Sequence, residues 1–319
     1  MTVQLVPYCD DAVEFPRLLA YLREIWRRPD FLSDFHPGDV VWQRFRDGFD
    51  APLRIALWQD DGRTVGYAWY YGPDELLTSI HPVVLPTPAA GELLDAMLAW
   101  GEERRAIYAE RGEASEQLVI TSCLREDARS EALLTERGFV PDGVDAFRVN
   151  RRSLLDELPE RPLAEGYRIV DITDKCLIPE RVALHRKVWH PSKLTEESYR
   201  WLRSRPEFDP ELDLMAVSAD GEGAAYAICW MDAETRTALF EPVGTRASHR
   251  RRGLAAAVLA EGMRRARAKG AETINVLNSS APEYAPSSGL YASVGFGSVG
   301  HLRYWRRPGR MDAPPAPSA

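Results

Sequence analysis

Hydrophobic and polar positions alternate in several short runs of the chain, and in other segments hydrophobic positions recur with a helical period. These are the patterns of half-buried β-strands and of amphipathic α-helices. The first half predicts a longer helix that starts at Glu92, and an Asp-Asp-Gly turn between its second and third strands. Its other predicted helices are Asp11–Trp26 and Val40–Phe49. Its predicted strands are Val3–Val6, Leu53–Trp58, Val65–Tyr71, Leu76–Val84 and Gln117–Cys123.

The second half repeats this order of elements. Its predicted strands are Tyr167–Ile172, Leu212–Ser218, Ala224–Trp230, Thr237–Val243 and Glu272–Leu277. Its predicted helices are Pro179–Trp189, Thr195–Arg203 and one that starts at Gly253. Each half therefore predicts an α/β domain with a mixed sheet.

Two pairs of segments are also similar in sequence between the halves. The helix that starts at Glu92 aligns with the helix that starts at Gly253, which puts Gly101 on Gly262. Near the end of each half, a short helix stops at a glycine, a phenylalanine follows, and a predicted aromatic hairpin ends in two arginines. These segments read SEALLTERGFVPDGVDAFRVNRR and SSGLYASVGFGSVGHLRYWRR. The chain is therefore predicted to be a tandem duplication whose copies have diverged.

Two stretches interrupt the patterning. Prolines and charged residues fill 151–166 (RRSLLDELPERPLAEG), which predicts a linker between domains at 1–150 and 167–308. Residues 309–319 are small and rich in proline, and they carry too little apolar surface to offset the entropy lost on ordering. They predict a disordered tail.

Composition narrows the choice of partners. The net charge of -8 supplies no basic surface for nucleic-acid phosphates, so a small-molecule ligand is expected and a nucleic acid is not. Cys9, Cys123, Cys176 and Cys229 are scattered and have no close histidine, which indicates neither disulfides nor a metal site. No segment has the pattern of a signal peptide or of a membrane span. These features predict a soluble cytoplasmic protein with no membrane partner.

The segment 239–260 (LFEPVGTRASHRRRGLAAAVLA) carries the most informative pattern. A predicted strand ends at Val243, and Arg250, Gly253 and Ala255 follow with the spacing R-x-x-G-x-A where a helix begins. The start of a helix has unpaired N–H groups and the positive end of the helix dipole, so it attracts anions. The small side chains of Gly253 and Ala255 let a diphosphate approach the backbone, and the neighbouring arginines add positive charge.

This pattern resembles the [QR]-x-x-G-x-[GA] signature of the GNAT superfamily of acyl-CoA-dependent N-acyltransferases. A second family segment, LY-x-x-x-GF, is matched at 290–296, after an intervening helix and strand. The resemblance is strong over 167–307, whereas the first half is similar only in element order and in the repeat segments. It implies two tandem GNAT-like domains with mixed sheets, in an architecture similar to that of mycothiol synthases.

The resemblance also implies where acyl-CoA binds. Amides at the start of the helix would hold the pyrophosphate, two residues of the preceding strand would pair with the pantetheine arm as an added strand, and Asn278 would bond the pantetheine or the acyl group. The amides and side chains implied at the pyrophosphate are those of Arg250, Arg251, Arg252, Gly253, Leu254, Ala255 and Ala256. The two strand residues are Val243 and Thr245.

Two residues are implied in catalysis. Tyr291 matches the family's general acid, which protonates the departing CoA thiolate, and Glu241 lies where some members place a carboxylate that takes the amine proton directly or through water. Two alternatives stay open: Tyr291 could be a core aromatic, and Glu241, which precedes Pro242, could be a structural carboxylate. The segment EYAPSSG before Tyr291 departs from the family pattern, so the pantetheine contacts near 284–288 are undecided.

The first half lacks the same chemistry. The repeat alignment puts Glu92 on Gly253, Leu94 on Ala255 and Leu134 on Tyr291. A carboxylate and bulky side chains at those positions would repel or block a pyrophosphate and would leave no acid. The first domain is therefore predicted to be a degenerate copy that packs, covers the substrate cleft or makes a homodimer.

Two functions follow from the sequence. The first is an enzyme that moves an acetyl or other short acyl group from acetyl-CoA or another acyl-CoA to a primary amine of a small molecule, with no metal. The second is a catalytically weak acyl-CoA-binding sensor or scaffold. The retained match at Tyr291 favours the enzyme, because a scaffold needs no acid at the thiol end of the cofactor. The segment Trp189–Asp209 carries no motif that identifies the acceptor.

Overall fold

The computed structural model describes residues 3–9, 11–28, 35–44, 50–71, 75–80, 87–113, 117–124, 128–281 and 285–308. In the first half of the chain its elements are β1 (Gln4–Pro7), α1 (Asp11–Trp26), α2 (Pro37–Gln43), α3 (Ala51–Arg54), β2 (Ile55–Asp60), β3 (Arg63–Tyr70), β4 (Glu75–Ile80), α4 (Thr87–Glu110), β5 (Val119–Leu124), α5 (Ala128–Glu136) and β6 (Val140–Ser153). In the second half they are β7 (Tyr167–Asp171), α6 (Ile178–Val188), α7 (Glu196–Arg203), β8 (Asp213–Ser218), β9 (Gly223–Asp232), β10 (Thr237–Thr245), α8 (Leu254–Ala268), β11 (Thr273–Ser279), α9 (Ala285–Ser293) and β12 (Gly297–Arg306).

The chain divides into two compact units, and neither unit is contiguous in sequence. Unit 1 consists of Met1–Ile25, Asp50–Arg148 and Gly300–Ala319, and unit 2 of Trp26–Phe49 and Val149–Val299. The units differ from the predicted domains at 1–150 and 167–308 in two segments. Residues 26–49 belong to unit 2, and the end of the chain from Gly300 belongs to unit 1. The predicted tail at 309–319 lies outside the described residues.

The two units have the same sheet topology. In unit 1 the strand order is β1-β2-β3-β4-β5-β12, and in unit 2 it is β7-β8-β9-β10-β11-β6. Four successive antiparallel strands are followed in each case by one parallel pair, β4 with β5 and β10 with β11. The repeated order of elements predicted from the sequence is confirmed, and the fold is a mixed α/β fold.

The aligned glycines of the repeat have the same packing role. A Cβ at Gly101 of α4 would lie 2.6 Å from a methyl carbon of Leu76 in β4, and a Cβ at Gly262 of α8 would lie 2.7 Å from the ring of Phe240 in β10. In both units the bare glycine lets the long helix lie close against the strand before it. The other aligned pair, Gly138 and Gly295, has φ values of 75° and 87°, which a glycine adopts without strain at the end of a helix.

The predicted hairpins after the aligned phenylalanines are wrong. Residues 140–153 form the single long strand β6, and residues 297–306 form the single strand β12. A two-residue hairpin turn of type I′ needs left-handed backbone at both central residues. Gly143, the glycine inside β6, does not have a positive φ, and the strand runs straight through it.

Some element boundaries also differ from those predicted. The first residues of the predicted strand Leu53–Trp58 form the one-turn helix α3, because the side chain of Asp50 caps it. Helix α4 begins at Thr87 rather than at Glu92. The predicted strand Leu76–Val84 ends at Ile80 in the part of the chain that is described. By contrast, Asp61 and Gly62 have the positive φ that the predicted turn requires.

Helix α2 belongs to unit 2 although its sequence comes from the first half. His36 caps it by accepting a hydrogen bond from the Gly38 N–H, and the other ring nitrogen of His36 lies 3.1 Å from the hydroxyl of Thr237 in β10. Gly38 packs directly on Trp230 of β9, which is fully buried. The Trp42 ring packs edge-on against His185 of α6. Unit 2 therefore needs this piece of the first half to cover its core.

No described helix is both long enough and apolar enough to cross a membrane.

We predict that Gly38→Ala destabilises the protein, because the new Cβ would lie 2.3 Å from the Cβ of Trp230. Overpacking of this kind costs about 1–3 kcal/mol of the free energy of unfolding. Urea unfolding followed by tryptophan fluorescence measures the loss. Gly143→Ala is the control, because a Cβ there meets open space. If the two variants were equally stable, the placement of α2 on β9 would be wrong.

Candidate active site

Strands β10 and β11 lie side by side only at their beginnings. Their parallel pairing joins Thr237–Leu239 to Thr273–Asn275. Strand β10 then continues along β9 as far as Thr245, and its register with β9 shifts around Pro242. Because a proline has no N–H, it cannot donate to a ladder at that position. Beyond Leu239, the described residues of the two strands are not paired, and β10 presents a free edge.

The orientation of the peptide groups shows which residues form this edge. The N–H of Arg246 donates to the carbonyl of Ala224 in β9 at 2.9 Å. Peptide groups alternate in direction along a strand, so Gly244 also faces β9. Val243 and Thr245 then direct their N–H and carbonyl groups to the opposite side, where β11 no longer pairs. Val243 and the N–H of Thr245 therefore present main-chain groups to an added ligand, whereas the Thr245 carbonyl accepts a hydrogen bond of 3.3 Å from the Arg250 guanidinium.

The start of α8 is open and polar. Its first intrahelical hydrogen bond runs from the Ala257 N–H to the carbonyl of Gly253, so the N–H groups of 254–256 have no partner inside the helix. Gly253 is exposed, has φ of 75°, and has no atom near the position that a Cβ would take. The arginines at 250–252 are exposed around it. Backbone, shape and charge at this helix start all suit an anion.

Tyr291 lies in α9 on the wall of the unit 2 core. Its ring packs edge-on against Phe296 at a centroid distance of 6.0 Å, and the side chain is 6% exposed. Burial raises the pKa of Tyr291 above its ordinary value, and the negative charge of Glu241 raises it further. The phenol is therefore held in its protonated form. Its place in the core and a role as an acid are compatible, because only the hydroxyl has to reach a ligand.

Glu241 lies in β10 at the point where the strands part. Its carbonyl accepts a hydrogen bond of 2.6 Å from the indole N–H of Trp230, which fixes the main chain there. The negative charge of its half-buried carboxylate contributes to the raised pKa of both Tyr291 and Tyr226, so it lies within electrostatic range of each. The fold thus brings Glu241 and Tyr291 into electrostatic range of each other.

Asn278 already has partners within the protein. Its side-chain carbonyl accepts from the amide of Asn150 in β6 at 2.8 Å, and its own amide donates to Ser288 in α9 and to the carbonyl of Ser279. The side chain therefore joins β11 to β6 and α9. A cofactor could bond Asn278 only in addition to these contacts or in exchange for one of them. The sequence did not single out Asn150, because its contact depends on the pairing of β6 with β11.

A second buried cluster, also not singled out from the sequence, lies behind β10. The hydroxyl of Tyr226 lies 2.7 Å from His185 and accepts from the indole N–H of Trp189 at 2.8 Å. Burial and then the charge of Arg181 lower the pKa of His185 to about 3, so this histidine is neutral. Its Nδ1 accepts a hydrogen bond from the Tyr226 hydroxyl. Arg181 stacks on the Tyr226 ring at 3.8 Å and pairs with the buried Asp213. This cluster fixes the part of β9 that packs against Gly244.

The corresponding region of unit 1 is closed. Helix α4 begins at Thr87, so residues aligned with the start of α8 lie inside the helix, where their N–H groups are used by helical hydrogen bonds. A Cβ at Gly91 would meet the guanidinium of Arg137, which forms two hydrogen bonds with Asp95. Leu134, which aligns with Tyr291, is buried. Within its described residues, unit 1 keeps the fold but presents no open helix start at this place.

Comparisons with known proteins identify the family that the second half resembles and the fold that both halves share. Residues 177–296 match the family model described as Acetyltransferase (GNAT) family. No curated protein matches the sequence. A GCN5-related N-acetyltransferase from Sphaerobacter thermophilus superposes with a TM-score of 0.63 at 21% identity, over 96% of each chain. A tandem GNAT protein from the clavulanic acid biosynthesis pathway gives 0.61 at 15% identity, over 97% of this chain and 99% of the other.

More distant enzymes share the fold as well. The N-myristoyltransferase of Saccharomyces cerevisiae, solved with bound myristoyl-CoA, superposes with a TM-score of 0.55 at 11% identity, over 96% of this chain and 78% of the other. At these identities the superpositions establish the fold alone. The family match and the fold together define two tandem GNAT-like domains. Residues 177–296 in the second half match the family model of GNAT acetyltransferases, and the superposed structures share the fold.

Proposed function

We propose that the protein transfers an acetyl or other short acyl group from acyl-CoA to a primary amine of a small molecule. One observation carries the proposal: the free edge of β10 at Val243 and Thr245 continues along the chain into the open helix start at Gly253. A ligand with a diphosphate at one end and an amide-containing arm at the other has complementary groups for both. Pantetheine diphosphates have this chemistry.

The residues present fit this group. Gly253 leaves open space where any other residue would place a side chain, and the N–H groups of 254–256 are available to phosphate oxygens. The arginines at 250–252 add positive charge. Val243 and Thr245 would pair with the amides of the arm as an added strand. Bound acyl-CoA would supply a thioester-activated acyl group, and the Val243 N–H would polarise its carbonyl.

In this proposal Tyr291 holds the proton that the leaving thiolate receives. The thiol formed is the stronger acid, with an ordinary pKa of about 8.5 against about 10 for the phenol. The transfer is therefore slightly uphill, and the breakdown of the tetrahedral intermediate, in which the C–S bond breaks as the thiolate takes the proton, offsets it. The raised pKa of Tyr291 keeps the proton on the hydroxyl at neutral pH and also makes its transfer to the thiolate less favourable. Asn278 keeps its proposed contact with the arm only if it shares its amide with Ser288.

Glu241 takes the proton of the amine in this proposal, directly or through a water molecule. The carboxylate lies on β10 next to Val243, so an amine that attacks a carbonyl bound at Val243 approaches it from this strand. The charge of Glu241 also contributes to the raised pKa of Tyr226 and of Tyr291, which supports a position within electrostatic range of the proposed acid. The base and the acid would then lie on two separate elements, β10 and α9.

Thiol release tests the proposed reaction. Acetyl-CoA incubated with the protein and a panel of primary amines should release CoA only when protein and a suitable amine are both present, and mass spectrometry should detect the acylated amine. Binding of CoA without release across a broad panel would instead favour an acyl-CoA sensor or scaffold.

We predict one CoA site per chain by titration calorimetry. Gly253→Glu should abolish it, because the carboxylate would stand against the pyrophosphate at the positive end of α8. Since φ at Gly253 is 75°, any other residue is strained there, and Gly253→Ala is therefore the control for strain alone. Gly253→Ala should retain measurable binding. Two sites, or a site that survives Gly253→Glu, would mean that unit 1 still binds the cofactor.

We predict that Tyr291→Phe lowers kcat by about tenfold to a thousandfold while the KM for acyl-CoA changes little, because only the acidic hydroxyl is lost. Steady-state kinetics give both constants. Tyr304→Phe is the matched control, since Tyr304 is a half-buried tyrosine of β12 in unit 1. Equal losses in kcat and in CoA affinity would assign Tyr291 a structural role.

We predict that Glu241→Gln lowers kcat and flattens the rise of the rate with pH, because an amide cannot accept the proton of the amine. The rate is measured against pH for both proteins with one amine. Glu234→Gln, an exposed carboxylate of the same unit that pairs with Arg27, is the control. A pH profile with unchanged shape would show that solvent takes the proton.

A further inference from the structure

A chain of hydrogen bonds lies beneath the loop between β10 and α8. The guanidinium of Arg252 donates to the hydroxyl of Tyr167 at 3.0 Å. The same hydroxyl lies 2.8 Å from Nδ1 of His249, and Nε2 of His249 lies 2.8 Å from the carboxylate of Glu222. Four residues from three separate parts of the sequence thus form one continuous path that ends at an exposed arginine.

The chemistry of the groups fixes the direction of the first bond, and one tautomer of His249 is compatible with a continuous path. A guanidinium only donates, so the Tyr167 oxygen accepts from Arg252 and its own proton is free to go to Nδ1 of His249. In the tautomer of His249 that carries its proton on Nε2, Nδ1 accepts from Tyr167 and Nε2 donates to Glu222, which only accepts when ionised. Every donor in the path has an acceptor, and no group has to compete for a proton.

The path is anchored in rigid parts of unit 2. Tyr167 is the first residue of β7, and its ring packs edge-on against His249 at 5.8 Å. His249 is buried and ends the single helical turn between β10 and α8. Glu222 stands next to the start of β9 and is also paired with Arg246. Both ends of the path reach solvent, because the Arg252 side chain is exposed and the Glu222 side chain is 39% exposed, whereas His249 between them is buried.

Two arginines of the same loop are held in different ways. Arg246 is paired with two carboxylates, Glu180 and Glu222, so its charge is compensated within the protein. Arg252 is held by a neutral hydroxyl, which fixes the direction of the side chain without cancelling its charge. An arginine with a purely structural role forms its strongest hydrogen bonds with a carboxylate. An arginine that binds an anionic ligand has to keep a positive charge that no carboxylate of the protein compensates.

We propose that Tyr167, supported by His249 and Glu222, is a positioning residue that holds the Arg252 guanidinium in place for the diphosphate of the cofactor. The inference rests on the proposed function, because it takes the diphosphate as the ligand at the start of α8. A free arginine loses most of its side-chain freedom when it binds an anion. The tyrosine fixes part of the side chain in advance, so less freedom is lost on binding.

Tyr167→Phe tests the inference, because it removes the hydroxyl and keeps the ring that packs on His249. The KM for acetyl-CoA and the Kd for CoA by calorimetry should rise about threefold to tenfold, with kcat unchanged. The KM for S-acetylpantetheine, which has no phosphate, should stay within about twofold. An equal loss with both substrates would overturn the inference, as would unchanged affinity for CoA.

A double-mutant cycle shows whether Tyr167 acts through Arg252. If it does, Arg252→Ala and the double variant should bind CoA equally weakly, because the hydroxyl has no remaining partner to position. Additive losses would mean that Tyr167 contacts the ligand by itself, which contradicts the inference. Arg264→Ala removes the same charge from an exposed position farther along α8, and it should leave CoA affinity unchanged.

CoA binding by the wild-type protein distinguishes failure of the proposed function from failure of the positioning role. If it binds neither CoA nor acetyl-CoA, the proposed function fails, and the inference fails with it. If it binds CoA and Tyr167→Phe binds equally well, the proposed function stands and only the positioning role is overturned. The melting temperature of each variant should lie close to that of the wild type, since the hydroxyl is not part of the core.

Discussion

The free edge of β10 is the feature on which the proposed site depends. A main-chain N–H or carbonyl away from water has to find a partner, and most strands find it in the next strand. Here the parallel partner β11 pairs only with Thr237–Leu239, and Pro242 lies where the register of β10 shifts. Val243 and the N–H of Thr245 are left to bond water or a ligand, and the Thr245 carbonyl accepts from the Arg250 guanidinium. A break in the ladder thus creates the binding edge without any special side chain.

The second requirement is a helix that starts beside this edge with bare backbone. Strand β10 leads through a short loop to Gly253, whose φ of 75° turns the chain into α8 and leaves the first N–H groups of the helix open. The left-handed backbone and the absence of a side chain are needed at the same position. This is why the glycine of the motif can be recognised in the sequence before the structure is known.

Most of the fold could be predicted from local sequence patterns, whereas contacts between residues distant in sequence could not. The repeat, the glycines at 101 and 262 and the turn at 61–62 follow from short-range spacing, and the structure confirms them. The predicted hairpins failed because the Asp-Gly pair at 142–143 continues as a strand. Asn150 and the path from Tyr167 to Glu222 were missed, because they join residues distant in sequence that have no motif of their own.

The two units show how one fold can gain or lose a site by small local changes. Starting α4 at Thr87 uses the N–H groups that are open in unit 2 for ordinary helical bonds, and the ion pair of Arg137 with Asp95 lies against Gly91. None of these changes disturbs the sheet. Loss of a site in the first half does not make that half dispensable, however, because α2 comes from it and Gly38 packs on Trp230 in the core of unit 2. The first half of the sequence is therefore constrained by packing in a unit whose chemistry comes from the second half.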